Sequence, residues 1–521
     1  MQSALRKCKS LKMSFLGIDV GTTGCKAAAY NLEGQQISYA YREYPLVSPH
    51  PGWAELDPNV LWESVRSCIS SIVSDVKKDP IQGVTLSALG EAILPISIDG
   101  SPLANCIVSF DNRSQHEYQH LMKRISAESI FNKTGLFVEP HYSIFKLMWW
   151  HKNQPEIYKN TWKFLCVGDY IGFKLGLRPV MDYSMATRTL CFNVHSSRWS
   201  ESILDASGID QTKLPEVASS GTIIGEISRD ITRDMDIPTK TILVLGGLDQ
   251  ACAALGSKVI ASGDTLLSVG TVAAIGPVFS SPTERMRDDR ILSMPHVVPD
   301  VKITFGASIG GGSVLRWYRD QFGYEEQKIA QREHRNVYEV IIDQVQDEPT
   351  DLLVLPHFSG SRFAFTDPQS EAAITGLTFN STKSDVIRAL LEGVAYELAI
   401  IRDRFLHAGI PIHSFNASGG GSRSGKWMQI IADSSQVPIH TMQTSDAGTL
   451  GSALLTAYAL GEFETLSVGA RQFVKIRCNF EPRDEWRSYH SERKTKYKAL
   501  YQKLSLDVGN LTDTDPITPS I

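Results

Sequence analysis

The segment Phe15-Leu-Gly-Ile-Asp-Val-Gly-Thr-Thr-Gly-Cys-Lys-Ala-Ala-Ala-Tyr30 sets an acidic residue and a glycine/threonine turn between two apolar strands. Few other features constrain a chain so tightly. Gly21 and Gly24 let the backbone turn with its N–H groups facing an anion, and Thr22 and Thr23 add hydroxyl donors. Asp19 is placed to hold a hydrated Mg²⁺. Glycine turns between apolar strands also occur as plain structural hairpins, but here the device repeats: Thr265-Leu-Leu-Ser-Val-Gly-Thr-Val-Ala-Ala-Ile-Gly-Pro-Val278 is again strand, Gly270-Thr271 turn, strand. A third element, Asn416-Ala-Ser-Gly-Gly-Gly-Ser-Arg-Ser-Gly-Lys-Trp-Met-Gln429, runs from an apolar approach through Gly419, Gly420, Gly421 and Ser422 into a helical pattern. A glycine triplet lets a flat base or a phosphate lie on the backbone, and the helix that follows offers free N–H groups. Two halves closing on a nucleotide are the expectation.

The 521-residue chain has the apolar and charged fractions of an ordinary globular protein and is long enough for two or three domains. A net charge of −5 with dispersed basic residues argues against nucleic acid as a partner. The eight cysteines are never closer than seventeen positions, so there is no CxxC pair, and they read as buried thiols in a reducing compartment. No apolar run approaches the roughly 18 residues of a membrane span, and the N-terminus lacks a signal-peptide core. A cytoplasmic protein without membrane contact is expected. Residues 1–13 read as a disordered extension and 508–521, polar and rich in Pro and Thr, as a disordered tail.

Between them the pattern is α/β. Extended segments to about 45 precede a helix at 59–77; strands at 84–88, 93–98 and 107–110 follow; a largely helical, aromatic stretch covers 114–192. Thr241-Ile-Leu-Val-Leu-Gly-Gly-Leu-Asp249 is a buried strand leading into a small-residue helix. Beyond it come strands near 303–306 and 352–355 and helices at 311–321, 383–408, 423–434 and 447–461. Gly311, at the start of one of these helices, joins the nucleotide-binding candidates.

Asp249 stands where a buried strand runs into a helix at the boundary of the halves, the place for a base that accepts a hydroxyl proton as the oxygen attacks a terminal phosphate. It could equally cap the helix at Gln250. Gly90-Glu91 and Asp111-Asn-Arg113 follow neighbouring strands, where α/β sites form, and their mixture of donors and acceptors suits a polyhydroxylated ligand. An Asp111 to Arg113 turn interaction is the plainer alternative. His141 is a weaker candidate of the same kind.

Read together, Gly17-Ile-Asp-Val-Gly-Thr-Thr23, Pro51-Gly-Trp-Ala-Glu-Leu-Asp-Pro58, Asp182-Tyr-Ser-Met-Ala-Thr-Arg-Thr189, Gly246-Gly-Leu-Asp249, Leu267-Ser-Val-Gly-Thr271, Asp367-Pro368 with Gly376-Leu377, and Ser418-Gly-Gly-Gly421 with Ala447-Gly-Thr-Leu-Gly451 make a chain that resembles the FGGY family of carbohydrate kinases over about 14–485. The resemblance implies two ribonuclease-H-like domains of the actin, Hsp70 and sugar kinase superfamily around a central cleft. The expected boundaries are 14–247 for a sugar-binding N-terminal domain and 248–485 for a nucleotide-binding C-terminal domain carrying the catalytic Asp, with a C-terminal helix at 486–507. It also implies Asp249 as catalytic base, ATP and Mg²⁺ as cofactors, phosphates on Thr22, Thr23, Gly270 and Thr271, and the nucleoside on the glycine triplet.

The segment that sorts the subfamilies departs from their patterns. Xylulose kinases show Gln-Met-His-Gly where this chain has Ala88-Leu-Gly-Glu91, and glycerol kinases show Arg-Glu in place of Gly90-Glu91. Glu91 matches a polyol-contacting Glu, His141 falls where a substrate-contacting tyrosine stands in glycerol kinases, and Asp111 matches the acid of the Asn-Asp-Gln-Arg segment of xylulose kinases. The expected activity is phosphorylation of a ketose such as xylulose or ribulose, a polyol or a sugar acid. Glu91, Asp111, Arg113, His141 and Asp249 would contact the acceptor. The alternative is a degenerate kinase acting as a nucleotide- and sugar-dependent sensor. Dimers and tetramers are frequent in the family, which leaves a homodimer open.

Overall fold

The computed structural model describes residues 13–444 and 446–511, with backbone alone from 506. The segments expected to be disordered at 1–12 and 512–521 lie outside these residues. From the N-terminus the elements that position the site are β1 (Ser14–Val20), β2 (Gly24–Tyr30), β3 (Gln36–Glu43), α1 (Pro58–Asp75), β4 (Ile81–Ala88), α2 (Ser143–Asn153), α3 (Tyr183–Arg188), β5 (Ile223–Glu226), β6 (Ile242–Leu248) and α4 (Asp249–Gly256). They continue with β7 (Gly263–Val269), β8 (Ala273–Phe279), β9 (Gly306–Ser308), α5 (Gly312–Gln321), α6 (Val337–Asp343), α7 (Lys383–His407), β10 (Ile412–Ser418), α8 (Gly425–Ser435), β11 (Ile439–Met442), α9 (Ala447–Ala459), β12 (Ile476–Phe480) and α10 (Asp484–Leu511).

Two compact units share these elements. Of the described residues, the first comprises 13–262, 278–304 and 446–475, and the second 263–277, 305–444 and 476–511. The first unit holds a six-stranded sheet in the order β5-β6-β4-β1-β2-β3. β1 pairs antiparallel with β2 and parallel with β4, and β4 pairs parallel with β6. Apart from Ser14 and Asp19, β1 is apolar because both faces are covered: Phe15, Leu16, Ile18 and Val20 are fully buried. Helix α1 covers one face of β2 and β3; its start is set by Asp57, which accepts the Asn59 N–H, and by Pro58 in the first turn. Helix α9 covers β1 and β4 on the strength of its small residues. A Cβ on Gly17 would lie 1.9 Å from the Thr449 carbonyl oxygen, and one on Gly451 2.0 Å from that of Cys252 in α4. Tyr30 to Thr449 (2.8 Å) and Thr85 to Thr456 (2.7 Å) hydroxyl bonds seal the contact.

The second unit repeats the topology. Its sheet runs β9-β8-β7-β10-β11-β12, with β7 antiparallel to β8 and parallel to β10, β10 parallel to β11, and β12 antiparallel at the edge. Helix α7 is buried on all sides from Ile387 to Ile401 and starts in a capping box between Thr382 and Asp385.

Several expectations are corrected. The boundary at 247/248 does not separate the units: α4 continues from β6 of the first sheet, and α9, expected in the second domain, completes the first unit's core. The stretch 114–192 is interrupted by strands Lys163–Cys166 and Val180–Asp182, and the strand expected at 107–110 is only Cys106–Ile107. The last helix extends to Leu511, into the tail expected to be disordered from 508. Of the described cysteines six are buried as free thiols, but Cys478 is exposed on the edge strand β12.

Candidate active site

Three parallel strands of the first sheet end level with one another, since Ala88 is the register partner of both Val20 and Leu248. That alignment brings three acids to one edge: Asp19 beside the end of β1, Glu91 three residues past β4, and Asp249 directly after β6. Strand ends in register are where an α/β sheet builds its site.

Side chains from α2 and α3 fix these acids. Glu91 takes a left-handed backbone (φ 60°), uncommon for a residue with a Cβ. Its carbonyl accepts from the Lys146 amine (2.8 Å) and the Ser143 hydroxyl (3.1 Å); the same Lys146 amine donates to the His141 carbonyl (2.7 Å). One fully buried lysine thus ties the two acceptor-site candidates together, and burial lowers its pKa to about 8. The Glu91 carboxylate accepts from Nε and Nη2 of Arg188, and His141 Nε2 lies 4.0 Å from Glu91 Oε1. At the other end of α3, the Asp182 carboxylate accepts from the Ser184 hydroxyl (2.6 Å), and that hydroxyl's oxygen accepts the Leu248 N–H (2.9 Å). A single turn and a half of helix therefore holds both the backbone entering Asp249 and the side chain of Glu91.

Asp249 is open on one side, yet enough protein surrounds it that burial, followed by the charge of Asp19, raises its carboxyl to about 7; the Gln250 N–H and the Arg188 charge oppose this, while Glu91 adds to it. Asp249 is the first residue of α4 rather than its cap, although its Oδ1 accepts the Gln250 N–H at 2.7 Å. Burial raises Asp19 as well, against a 2.8 Å bond from the Ser87 hydroxyl and the charge of Lys26, which pairs with Asp446 at 3.2 Å. The N-terminus of α9 stands over Asp19: a Cβ on Gly448 would be 3.1 Å from its carboxyl carbon. Thr22 and Thr23 form the adjacent turn, closed by the Gly21 N–H to the Gly24 carbonyl at 3.0 Å.

Asp111 and Arg113 do not join this cluster. They bond each other through Arg113 Nε (2.9 Å) and Nη2 (2.7 Å), and Nη2 also reaches Glu55 at 2.7 Å. The guanidinium lies 3.7 Å above the Trp53 ring, and both side chains are almost wholly buried. The turn interaction is the reading the geometry favours.

In the second unit a cleft of about 380 Å³ opens at the Gly270-Thr271 turn. Gly420, Gly421, Ser424 and Trp427 line one wall and Leu315, Arg316, Asn336, Tyr338, Glu339 and Ile342 others. A Cβ on Gly420 would meet nothing within 4 Å, so backbone there faces open space. Gly311, Gly419 and Ser422 shape this cleft without lining it. A Cβ on Gly311 would strike the Val272 backbone at 2.5 Å, Gly419 has φ 89° against the Val269 carbonyl, and the Ser422 hydroxyl donates to the Gly419 carbonyl at 2.7 Å.

Comparison with known proteins decides the family. The N-terminal domain of the FGGY family of carbohydrate kinases matches residues 14–256, and its C-terminal domain matches 276–460. The chain belongs to the FGGY family of carbohydrate kinases. As an FGGY kinase it is a sugar phosphotransferase, with the α/β, ribonuclease-H-like fold of the actin, Hsp70 and sugar kinase superfamily in two domains. It is 26% identical over 513 residues to the xylulose kinase of Staphylococcus epidermidis, covering 96% of this chain and 100% of that protein. It is 28% identical over 455 residues to the gluconokinase of Bacillus subtilis, covering 86% and 88%. The gluconate kinase structure from Lactobacillus acidophilus superposes with a TM-score of 0.84 at 25% identity, over 96% of this chain and 99% of that one. No helix among the described residues is long and apolar enough to cross a membrane.

In this FGGY kinase the fold gathers Asp19, Glu91, His141 and Asp249 in the first unit and Gly270, Thr271, Gly420 and Gly421 in the second. Sequence reasoning missed Arg188 and Lys146 in the first cluster and α6 with Asn336, Tyr338 and Glu339 in the second. Arg188 lies within the Asp182–Thr189 landmark, so its place in the pattern was visible while its contact was not.

Proposed function

We propose that this kinase transfers the γ-phosphoryl group of ATP to a hydroxyl of a small carbohydrate, with Asp249 as general base. The observation that carries the reading is the place of Asp249 beside Asp19 at the level ends of three strands, where burial pushes its carboxyl up to about 7. A base that titrates near neutrality can take a hydroxyl proton without being permanently protonated or too weak. Arg188 orients Glu91 as an acceptor for a second hydroxyl, and His141 offers a ring nitrogen beside it.

Because Arg188 is already engaged by Glu91, and Asp19 and Asp249 add negative charge, the cluster favours a neutral ketose such as xylulose or ribulose, or a polyol, over a sugar acid. Asp111 and Arg113 then act by holding the wall around Trp53.

The cleft at Gly270-Thr271 suits ATP: open backbone at Gly420 accepts a flat base, Trp427 and Tyr338 supply aromatic surface, and the glycine turn offers N–H groups to phosphate. Among the described residues no group of three His, Cys, Asp or Glu side chains is placed to hold a metal ion. Mg²⁺ fits this site as a largely hydrated ion: Asp19 would hold it through water, and it would offset the charge of the neighbouring carboxylates. When bound it neutralises charge on the transferring phosphoryl group. Thr22, Thr23 and Thr271 supply hydroxyl donors to phosphate oxygens. Transfer requires the nucleotide held by the second unit to meet the acceptor held by the first.

The sensor alternative has no observation in its favour, since a neutrality-poised Asp249 serves no purpose in a pure switch. The test is ADP release from Mg²⁺-ATP against a panel of pentuloses, hexuloses, polyols and sugar acids, with mass detection of the product. One strong neutral acceptor supports the reading; a strong sugar acid overturns the preference for neutral acceptors, and sugar-independent ATP hydrolysis overturns the kinase assignment.

A further inference from the structure

A second cavity, of about 220 Å³, lies in the second unit behind the wall of the nucleotide cleft, lined by Val345, Asp347, Arg388, Gly425, Lys426, Gln429, Ile430 and Arg483. We infer that it is a binding site for a phosphate group, free or carried as a phosphate monoester, distinct from the catalytic phosphate positions.

Arg388 is 3% exposed and lies 4.6 Å above the Trp486 ring. Its Nε donates to Glu392 (2.8 Å) and its Nη1 to the Gln346 carbonyl (2.8 Å), but its Nη2 is buried with no hydrogen-bond partner among the described residues. A guanidinium nitrogen left unpaired away from water is costly, and a phosphate oxygen is its natural complement. The second cation, Lys426, donates to the carbonyls of Asp343 (3.0 Å) and Val345 (2.6 Å), neutral groups that leave one N–H and the charge unspent. The third, Arg483, spends Nε and Nη2 on Asp433. The first turn of the eleven-residue helix α8, at Gly425 and Lys426, adds the positive end of its dipole. Of the lining residues only Asp347 is acidic, and Glu392 and Asp433 already serve Arg388 and Arg483.

The cavity shares its walls with the nucleotide cleft. Helix α6 presents Tyr338, Glu339 and Ile342 to the cleft, and Val345, two residues past its end at Asp343, lines the cavity. The start of α8 presents Ser424 and Trp427 to the cleft, and Gly425 and Lys426 to the cavity. A phosphate drawing Lys426 away from the carbonyls of Asp343, the last residue of α6, and Val345 would be felt by residues that line the nucleotide site.

The test is calorimetric titration of the full chain, its nucleotide cleft saturated with ADP, with inorganic phosphate and separately with glucose 6-phosphate. Lys426→Met is the main variant, because Lys426 is exposed, whereas a change at buried Arg388 removes the cation paired with buried Glu392. Phosphate should bind the ADP complex, with affinity about tenfold weaker in Lys426→Met, as expected for the loss of one charge-assisted contact. Nucleotide affinity without phosphate is measured in both proteins as the reference, since the substitution also removes the Lys426 bonds to the carbonyls of Asp343 and Val345. Tighter binding of glucose 6-phosphate identifies an ester as occupant, and equal or weaker binding identifies free phosphate. No binding of either to the ADP complex, or binding that Lys426→Met leaves intact, overturns the inference.

Discussion

Arg188 grips Glu91 through two guanidinium nitrogens on one carboxylate oxygen, from the last turn of the helix whose first turn holds the backbone leading into Asp249. Orientation of the acceptor and position of the base are thereby coupled through six residues of α3.

Replacing Arg188 with Met should lower kcat/KM for the acceptor by about tenfold or more, since a charged hydrogen bond is lost and Glu91 is freed. The guanidinium also lowers the Asp249 pKa, so its removal should move the acidic limb of the pH profile above the wild-type midpoint of about 7. A variant that loses activity with an unmoved limb would contradict the coupling.

Gly448→Ala addresses Asp19. The added methyl would sit 3.1 Å from the Asp19 carboxyl carbon, so the carboxylate must yield by a few tenths of an ångström. The expected result is a several-fold rise in the Mg²⁺ concentration for half-maximal rate, with little loss of thermal stability, measured by magnesium titration of the steady-state rate.

The glycine triplet should divide by position. Gly420→Ala meets open space and should fold normally while raising KM for ATP. Gly421→Ala would place a methyl 2.3 Å from Val269 Cγ1, and should cost stability of about 1–3 kcal/mol from overpacking. Paired thermal melts and ATP saturation curves separate the two.

Asp111→Asn should destabilise by about 3 kcal/mol, because it leaves the Arg113 guanidinium buried against Trp53 and near Trp149 with poorer partners. Where the fold is retained, KM for the acceptor should stay near wild type; a selective rise in KM without loss of stability would restore Asp111 to the substrate site.

The parts legible in the sequence were those with short-range signatures. The hairpins at Asp19 and Gly270, the strand leading to Asp249 and the Gly419–Gly421 loop all carry local turn chemistry that needs no partner to be read. What escaped depends on long-range contact. Helix α9 shows an ordinary small-residue pattern, and only the approach of Thr449 to Gly17 shows that it belongs to the first unit. The Asp111-Asn-Arg113 turn advertises polar chemistry equally for a site and for an internal pair, and the nearby Trp53 decides between them. Lys146 reads as one polar residue in an aromatic helix until its amine is seen between the carbonyls of Glu91 and His141.

The role of Asp249 as base is tested most directly by Asp249→Asn, assayed for phosphoryl transfer beside nucleotide binding and thermal melts at pH 5 and pH 8. The raised carboxyl is protonated in the fold at pH 5 and charged at a cost at pH 8, so wild-type stability falls as pH rises toward about 7. The raised carboxyl's contribution is whole only below about pH 4 and is lost as pH rises to about 7, so the Asn variant should gain on the wild-type melt between pH 5 and pH 8, bind nucleotide normally, and lose about 10²- to 10⁴-fold in transfer rate. Retention of more than about one per cent of the rate with nucleotide binding intact would contradict the assignment.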